Sequence, residues 1–326
     1  MLTENAISSG IPVRNRMYRQ ALRRKEIRKQ KYFHLMILMG MIYLFIFVYI
    51  PLFGIIIAFK DYRIVSGISG MFTSDWVGSK YFVEFFTDYQ FSQIIRNTLA
   101  IIFLQLFFVF PVPILFAILL NEVKSVPFKR VVQTVSYLPH FISWVVVYGI
   151  AVALFAENGG LFNDLFVLLG LLEKPKAILT DPDAFWTVSV LSAVWKEMGW
   201  NAIIFLAAIA GINPALYEAA DVDGASRIAK IKHITLPSLK SAIVIVLILK
   251  VGYLFKGGAF EQCFLFGNRM NNGASEIIPT YAFRVGLVNG RYAFATAVDL
   301  LQSSVAIVVV YLINFISKKL TDSSLF

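Results

Sequence analysis

Six stretches of this chain stay apolar for about as long as a helix must be to cross a bilayer, and that length limits the fold more than any other feature. A transmembrane helix needs roughly 20 predominantly apolar residues, because the hydrocarbon core is about 30 Å thick and each helical residue rises about 1.5 Å. The stretches lie at approximately 34–58, 96–120, 138–156, 185–211, 240–256 and 294–316. A soluble core built from ordinary helices does not account for them. Composition agrees, since 58% of the residues are hydrophobic and only 15% are charged, against about 25% charged in soluble domains. Hydrocarbon offers no hydrogen-bond partners, so each span must satisfy its own backbone. The expected fold class is an all-α membrane protein with about six transmembrane helices.

The net charge of +10 is read through its placement. Arg14, Arg16, Arg19, Arg23, Arg24, Lys25, Arg28, Lys29 and Lys31 precede the first span, where cytoplasmic Lys and Arg set orientation. The same side receives Lys124, Lys129 and Arg130, then Arg227, Lys230, Lys232 and Lys240, then Lys318 and Lys319. The opposite loop, 59–95, sets Lys60, Arg63 and Lys80 against Asp61, Asp75, Glu84 and Asp88 and has no basic excess. These positions imply a multi-pass protein with both termini cytoplasmic, a basic cytoplasmic arm at 1–31 and one membrane domain at 32–326. No nucleic-acid partner is expected, because the basic arm has little aromatic interleaving and no recognisable module. The arm is too basic and the first span too long for a cleaved signal peptide. Cys263 is the sole cysteine, so no disulfide forms within the chain, and no metal site is expected. His34, His140 and His233 lie far apart without ligand spacing, and His140 reads as an interfacial or packing residue. Pro51, Pro111 and Pro113 are expected to kink their spans.

Between the fourth and fifth spans the sequence predicts two short helices at the membrane surface. Asn213 is placed to cap the first, Pro214 to occupy its first position, and Gly224 to make the turn after it. Ala219, Ala220 and Ala225 are small enough for close approach by a partner. Ile228, Ile231 and Ile234 form an apolar stripe along the second helix, which Pro237 is expected to end before the fifth span begins. Without a partner, the same pattern describes an amphipathic helix lying on lipid headgroups.

The run Glu218-Ala219-Ala220-Asp221-Val222-Asp223-Gly224-Ala225, eight residues, then Ile234-Thr235-Leu236-Pro237 resembles the EAA loop of binding-protein-dependent ABC importer permeases. Its signature positions here are Glu218, Ala219, Ala220, Asp223, Gly224, Ala225, Ile234, Leu236 and Pro237. The resemblance extends from about Leu35 to Leu320 and is nearest the MalF-like carbohydrate branch, within it the LplB-like permeases for polysaccharides and complex oligosaccharides. Supporting stretches begin at Tyr137, Trp195 and Tyr292. The resemblance implies a cytoplasmic coupling helix with Glu218 as polar anchor and Gly224 as hinge. It further implies a second related permease, two ATP-binding cassette subunits carrying ATP and Mg, an extracytoplasmic solute-binding protein, a saccharide solute and a bacterial cytoplasmic membrane.

The chain has no GxxxxGK[ST] loop to cradle phosphates and no GxSxG nucleophile elbow, so it is expected to be a transport subunit without a cofactor of its own, not an enzyme. Polar and ionisable residues inside spans are costly and usually face a cavity or a partner. Lys196, Glu197, Lys250 and Asp299 fit that description, and Trp195, Trp200, Asn201, Tyr253 and Gln302 suit a sugar that needs ring stacking and hydrogen bonds. These nine are candidates for a solute path; Lys196, Lys250 and Arg284 are the cations available to an acidic saccharide. Mutual neutralisation within the bundle and lipid anchoring by Trp are the bland explanations of the same residues. An ion-gradient transporter using Asp299 or Glu197, and a membrane-bound enzyme, are the competing functions; neither accounts for the EAA pattern.

Overall fold

The structure, a computed structural model, describes residues 29–321, so nearly all of the expected basic arm lies outside the described residues. The described chain divides into two compact units, one ending at Ile56 and one beginning at Ile57. The first unit is the helix that opens at Lys31, turns through a π segment at Phe45–Tyr49 and continues through Ile50–Leu52. Its span, Lys31–Phe59, has a mean hydropathy of 2.6, the value of a helix solvated by lipid.

The second unit carries four more long apolar helices, Phe91–Glu122, Pro182–Ala210, Arg227–Phe255 and Tyr292–Lys319. The second and fourth spans run parallel. Ile101 meets Phe185 in one buried cluster, while Ile114 and Ile118 meet Phe205 and Ile209 in another, so residue numbers rise together along both helices. The fifth span returns in the opposite sense, with Leu239 in the cluster of Phe205 and Ile209, and its far end, the Phe255 carbonyl, accepts a hydrogen bond from Gln302 of the sixth. No strand occurs among the described residues apart from one isolated bridge between Lys60 and Trp76.

The prolines do not break their helices. Pro51, Pro111 and Pro237 each stand two residues after a π turn, at Phe45–Tyr49, Gln105–Val109 and Ile231–Thr235. A helical proline cannot donate to the carbonyl four residues earlier and its ring crowds that oxygen. The carbonyls concerned, on Phe47, Phe107 and His233, lie inside the widened turns, which relieve the crowding with the helix continuing. Pro237 therefore does not end a separate surface helix as the sequence suggested; the second surface helix and the fifth span are one helix, Arg227–Phe255.

The third span also differs from expectation. It is two helices, Val126–Phe141 and Trp144–Phe155, bent by 104°. The turn Leu138–Phe141 is 3-10 in form, Ile142 and Ser143 are extended, and the Ser143 hydroxyl then caps the second helix by accepting from the Val146 amide at 3.4 Å. The 12 residues of Trp144–Phe155 reach only about 18 Å, short of the roughly 30 Å of hydrocarbon. Sequence reading set this span at 138–156 because the residues across the break are nearly all apolar.

At the end of the bundle opposite residues 210–227, short helices between the fifth and sixth spans pack over the start of the second. Tyr81, Phe85, Ile94, Tyr281 and Phe294 form the core there. Tyr81 donates to Asp61 at 2.9 Å and Tyr281 to Asp88 at 2.6 Å. Burial first, then the bond to Asp61, pushes the Tyr81 phenol up to about 12, so it remains a donor at any growth pH. Asn97 is fully buried and donates to the carbonyls of Gly273 and Glu276 at 3.1 and 3.0 Å. Asn97→Ala strands the Glu276 carbonyl in a buried site, at a cost of about 1–3 kcal/mol. Thermal unfolding in detergent should show Asn97→Ala melting clearly below the parent, with the exposed Thr73→Ala unchanged; equal melting temperatures would mean that other contacts hold this end.

Candidate functional site

Two places concentrate the nominated residues. The first is the segment joining the fourth and fifth spans. The helix Pro214–Val222 is capped as expected, with the Asn213 side chain accepting from the Ala215 amide at 3.1 Å. It ends where Gly224 takes a φ of +70°: Ala225 donates to the Ala220 carbonyl at 2.8 Å and Gly224 to Asp221 at 3.1 Å, a Schellman closure that suits glycine. A second cap, not anticipated from sequence, is Ser226, whose hydroxyl accepts from the Ala229 amide at 3.3 Å. Two side-chain contacts fasten the short helix to the base of the fifth span: the hydroxyls of Tyr217 and buried Thr235 lie 2.9 Å apart, and Lys230 pairs with Asp221 at 2.6 Å.

Glu218, Ala219, Asp223, Gly224, Leu236 and Pro237 are exposed, and Ala220, Ala225 and Ile234 are half-buried. The anticipated isoleucine stripe is divided: Ile228 is exposed, while Ile231 packs onto the cluster of Ile114 and Phe205. Val222 and Ile228 are 89% and 77% exposed, more apolar surface than one short helix needs for its own packing.

The second place is a cavity of about 390 Å³ midway along the bundle, bounded by the second, fourth and fifth spans and the break in the third. It brings together Glu197, Asn201, Lys250 and Tyr253 of the nominated residues. Gln105, His140, Trp144 and Gln262 complete it and were not nominated. His140 stacks flat on Trp200, 4.6 Å between ring centres and 2° from parallel, with its Nδ1 3.7 Å from Glu197. Asn201 donates to the same carboxylate at 3.4 Å. Lys250 lies 5.5 Å from the Tyr253 ring centre and makes no hydrogen bond or ion pair with any described residue. Aromatic faces, amides, one carboxylate and one cation suit a ligand that combines apolar ring faces with hydroxyls.

The other nominated residues are placed elsewhere. Lys196 is buried, and its ammonium donates to the carbonyls of His140 and Ile142 at 2.7 Å each and of Pro139 at 3.4 Å. It fills the break in the third span, near the Trp144 ring at 5.7 Å. Gln302 caps the fifth span as described. Trp195 borders a separate, apolar groove, and Asp299 is exposed outside the cavity. Arg284 pairs with Glu276 at 2.6 Å and donates to Gln90 at 3.1 Å; the bond to Glu276 raises its pKa further, so it stays charged. A signal for Gln105 was present, since an amide inside a span is itself costly; Trp144 and Gln262 carry no comparable mark.

Residues 109–322 match the family model described as "Binding-protein-dependent transport system inner membrane component". The chain belongs to this family. The permease is 44% identical over 298 residues to the polygalacturonan/rhamnogalacturonan transport system permease protein YteP of Bacillus subtilis (strain 168), covering 91% of each chain. It is 40% identical over 300 residues to protein LplB of the same organism, covering 92% of each. A crystal structure of a bacterial ABC transporter involved in the import of the acidic polysaccharide alginate superimposes with a TM-score of 0.83 and 37% identity, covering 91% of this chain and 98% of that one. Its complex with an alginate pentasaccharide-bound periplasmic protein gives 0.82 and 36%. The expected saccharide-importer permease therefore stands, and the ion-gradient and enzyme readings fall.

The two lysines separate structure from binding. Lys196→Met leaves two close carbonyls without their donor, each worth about 1–3 kcal/mol, and should lower the melting temperature and the yield of assembled protein. Lys250→Met should melt like the parent while saccharide uptake falls. The reverse pattern would exchange their roles.

Proposed function

We propose that this permease imports an oligosaccharide bearing carboxylates, and that the mid-bundle cavity is its solute site. The observation that supports this reading most is Lys250 facing that cavity, without a hydrogen bond to any described residue, among aromatic rings, amides and the Glu197 carboxylate. Glu197 shares the cavity with Lys250 without forming a direct ion pair, so the ammonium keeps its donors for a ligand oxygen, and a uronate residue presents a carboxylate beside hydroxyls. Tyr253 and Trp144 provide the faces on which a pyranose ring rests, and Glu197 and Asn201 accept and donate to its hydroxyls. The polygalacturonan and alginate solutes of the relatives fit the same chemistry.

Leu249, Tyr253 and Ile204 at the cavity edge are more than half exposed. That edge suits a second, related permease, which would close the cavity. ATP binding and hydrolysis, with Mg, take place on two separate cassette subunits. The exposed face of Pro214–Val222 docks into them, with Glu218 at its centre and Val222 and Ile228 as apolar contacts. Both termini and this segment are then cytoplasmic, and an extracytoplasmic binding protein delivers solute at the other end. Because Tyr217–Thr235 and Asp221–Lys230 pin the docking helix to the fifth span, its displacement is carried to Lys250 and Tyr253 on the same helix.

Glu218→Arg reverses the exposed charge without touching the fold. In proteoliposomes holding the complete importer, uptake should drop at least tenfold and ATPase stimulation by loaded binding protein should disappear, with the permease still monodisperse. Undiminished uptake would remove the segment from coupling.

A further inference from the structure

At the end of the bundle away from the docking helix lies a second polar cavity of about 500 Å³, between the start of the second span and the short helices after the fifth. Its walls combine the amides of Gln90 and Asn268, the rings of Phe264 and Phe283, and the guanidinium groups of Arg269 and Arg284. Arg284 is committed to Glu276 and Gln90. Arg269 is exposed and has no hydrogen bond or ion pair with any described residue.

Neighbouring residues lead from this cavity toward the mid-bundle site. A third cavity of about 250 Å³ shares Trp144, Tyr253 and Gly258 with the mid-bundle one and includes Phe260. Phe260 in turn packs against Phe264 and Phe283, with ring centres 5.5 Å apart in both pairs, and those two rings line the far cavity. Aromatic side chains thus recur from Phe283 and Phe264 through Phe260 to the cavity lined by Tyr253 and Trp144. Charge is distributed unevenly along them. The mid-bundle cavity sets Lys250 against Glu197, and the connecting one sets Lys256 against Glu261. The far cavity alone holds an excess cation, because Glu276 is matched by Arg284 and nothing matches Arg269.

We infer that the far cavity is a second saccharide subsite, the first one an incoming chain meets, and that Arg269 selects for a carboxylate there. This rests on the saccharide-import reading given above. The aromatic run then accommodates an extended chain of several sugar residues, one end at Arg269 and the other at Lys250. An unpaired arginine reads carboxylates by paired N–H bonds at fixed spacing, whereas hydroxyls alone do not require it.

The experiment uses the complete importer in proteoliposomes, with hexagalacturonate and its fully methyl-esterified form as probes. Loss of one charge-assisted bond corresponds to about tenfold in affinity. Arg269→Gln should raise the half-saturating concentration of hexagalacturonate about tenfold at unchanged maximal rate and leave the neutral ester unaffected, with Arg269→Lys recovering only part of the loss because an ammonium cannot make the paired bonds. Equal losses for both probes would mean that Arg269 docks the binding protein or supports the fold, and would overturn the subsite. So would no change for either probe. If the unaltered importer shows no ATP-dependent uptake of either probe, the underlying reading fails with it; uptake of both, indifferent to Arg269, sinks the subsite alone.

Discussion

The three bonds from the Lys196 ammonium hold the interior of this permease together. A span that breaks inside a membrane exposes carbonyls to hydrocarbon, where nothing else satisfies them. Here the break presents the oxygens of Pro139, His140 and Ile142 to one point, and a lysine from the fourth span occupies it. His140 is thereby held against Trp200, and Trp144 begins its helix at the cavity wall. The cation serves as a bolt between two spans, and the cavity exists because the third span is bent around it.

Proline and the π turn supply a second regularity. A π turn shifts the face of everything beyond it, so helices that contain one present different surfaces above and below. In the fifth span the turn at Ile231–Thr235 separates the exposed Ile228 from the buried Leu239. One continuous helix thus carries both the exposed Ile228 and, further along, Lys250 and Tyr253. Under the proposed function, a cargo contact and a motor contact would lie on one helix and need no longer pathway between them.

Much of this was legible in the sequence, and the unread parts share a cause. Five of the six expected spans followed from run length, because hydrocarbon thickness leaves little freedom, and the sixth stands only as the bent pair Val126–Phe141 and Trp144–Phe155. The caps at Asn213 and Gly224 followed because helix ends depend on local residues. The break in the third span was hidden, since Leu138, Phe141 and Trp144 are as apolar as any span and one proline does not distinguish a kink from a corner. Lys196 was recognised as costly, but its acceptors lie more than 50 residues earlier in the chain, and no local pattern tells a lysine that binds carbonyls from one that binds solute. Arg284 and Gln302 were obscured in the same way. Trp144 and Gln262 enter the cavity only because of how the broken span and the short helix Phe260–Phe266 fold against it.

The claim on which the account stands is that solute passes through the mid-bundle cavity. Ile204 lines it and is half exposed, while the sole native cysteine, Cys263, is buried. The most direct measurement is therefore the rate at which a maleimide labels Ile204→Cys in the complete, transport-active importer during turnover with ATP and loaded binding protein. Hexagalacturonate should slow that labelling severalfold relative to binding protein without ligand. Labelling that proceeds at the same rate while saccharide accumulates in the vesicles would contradict the account.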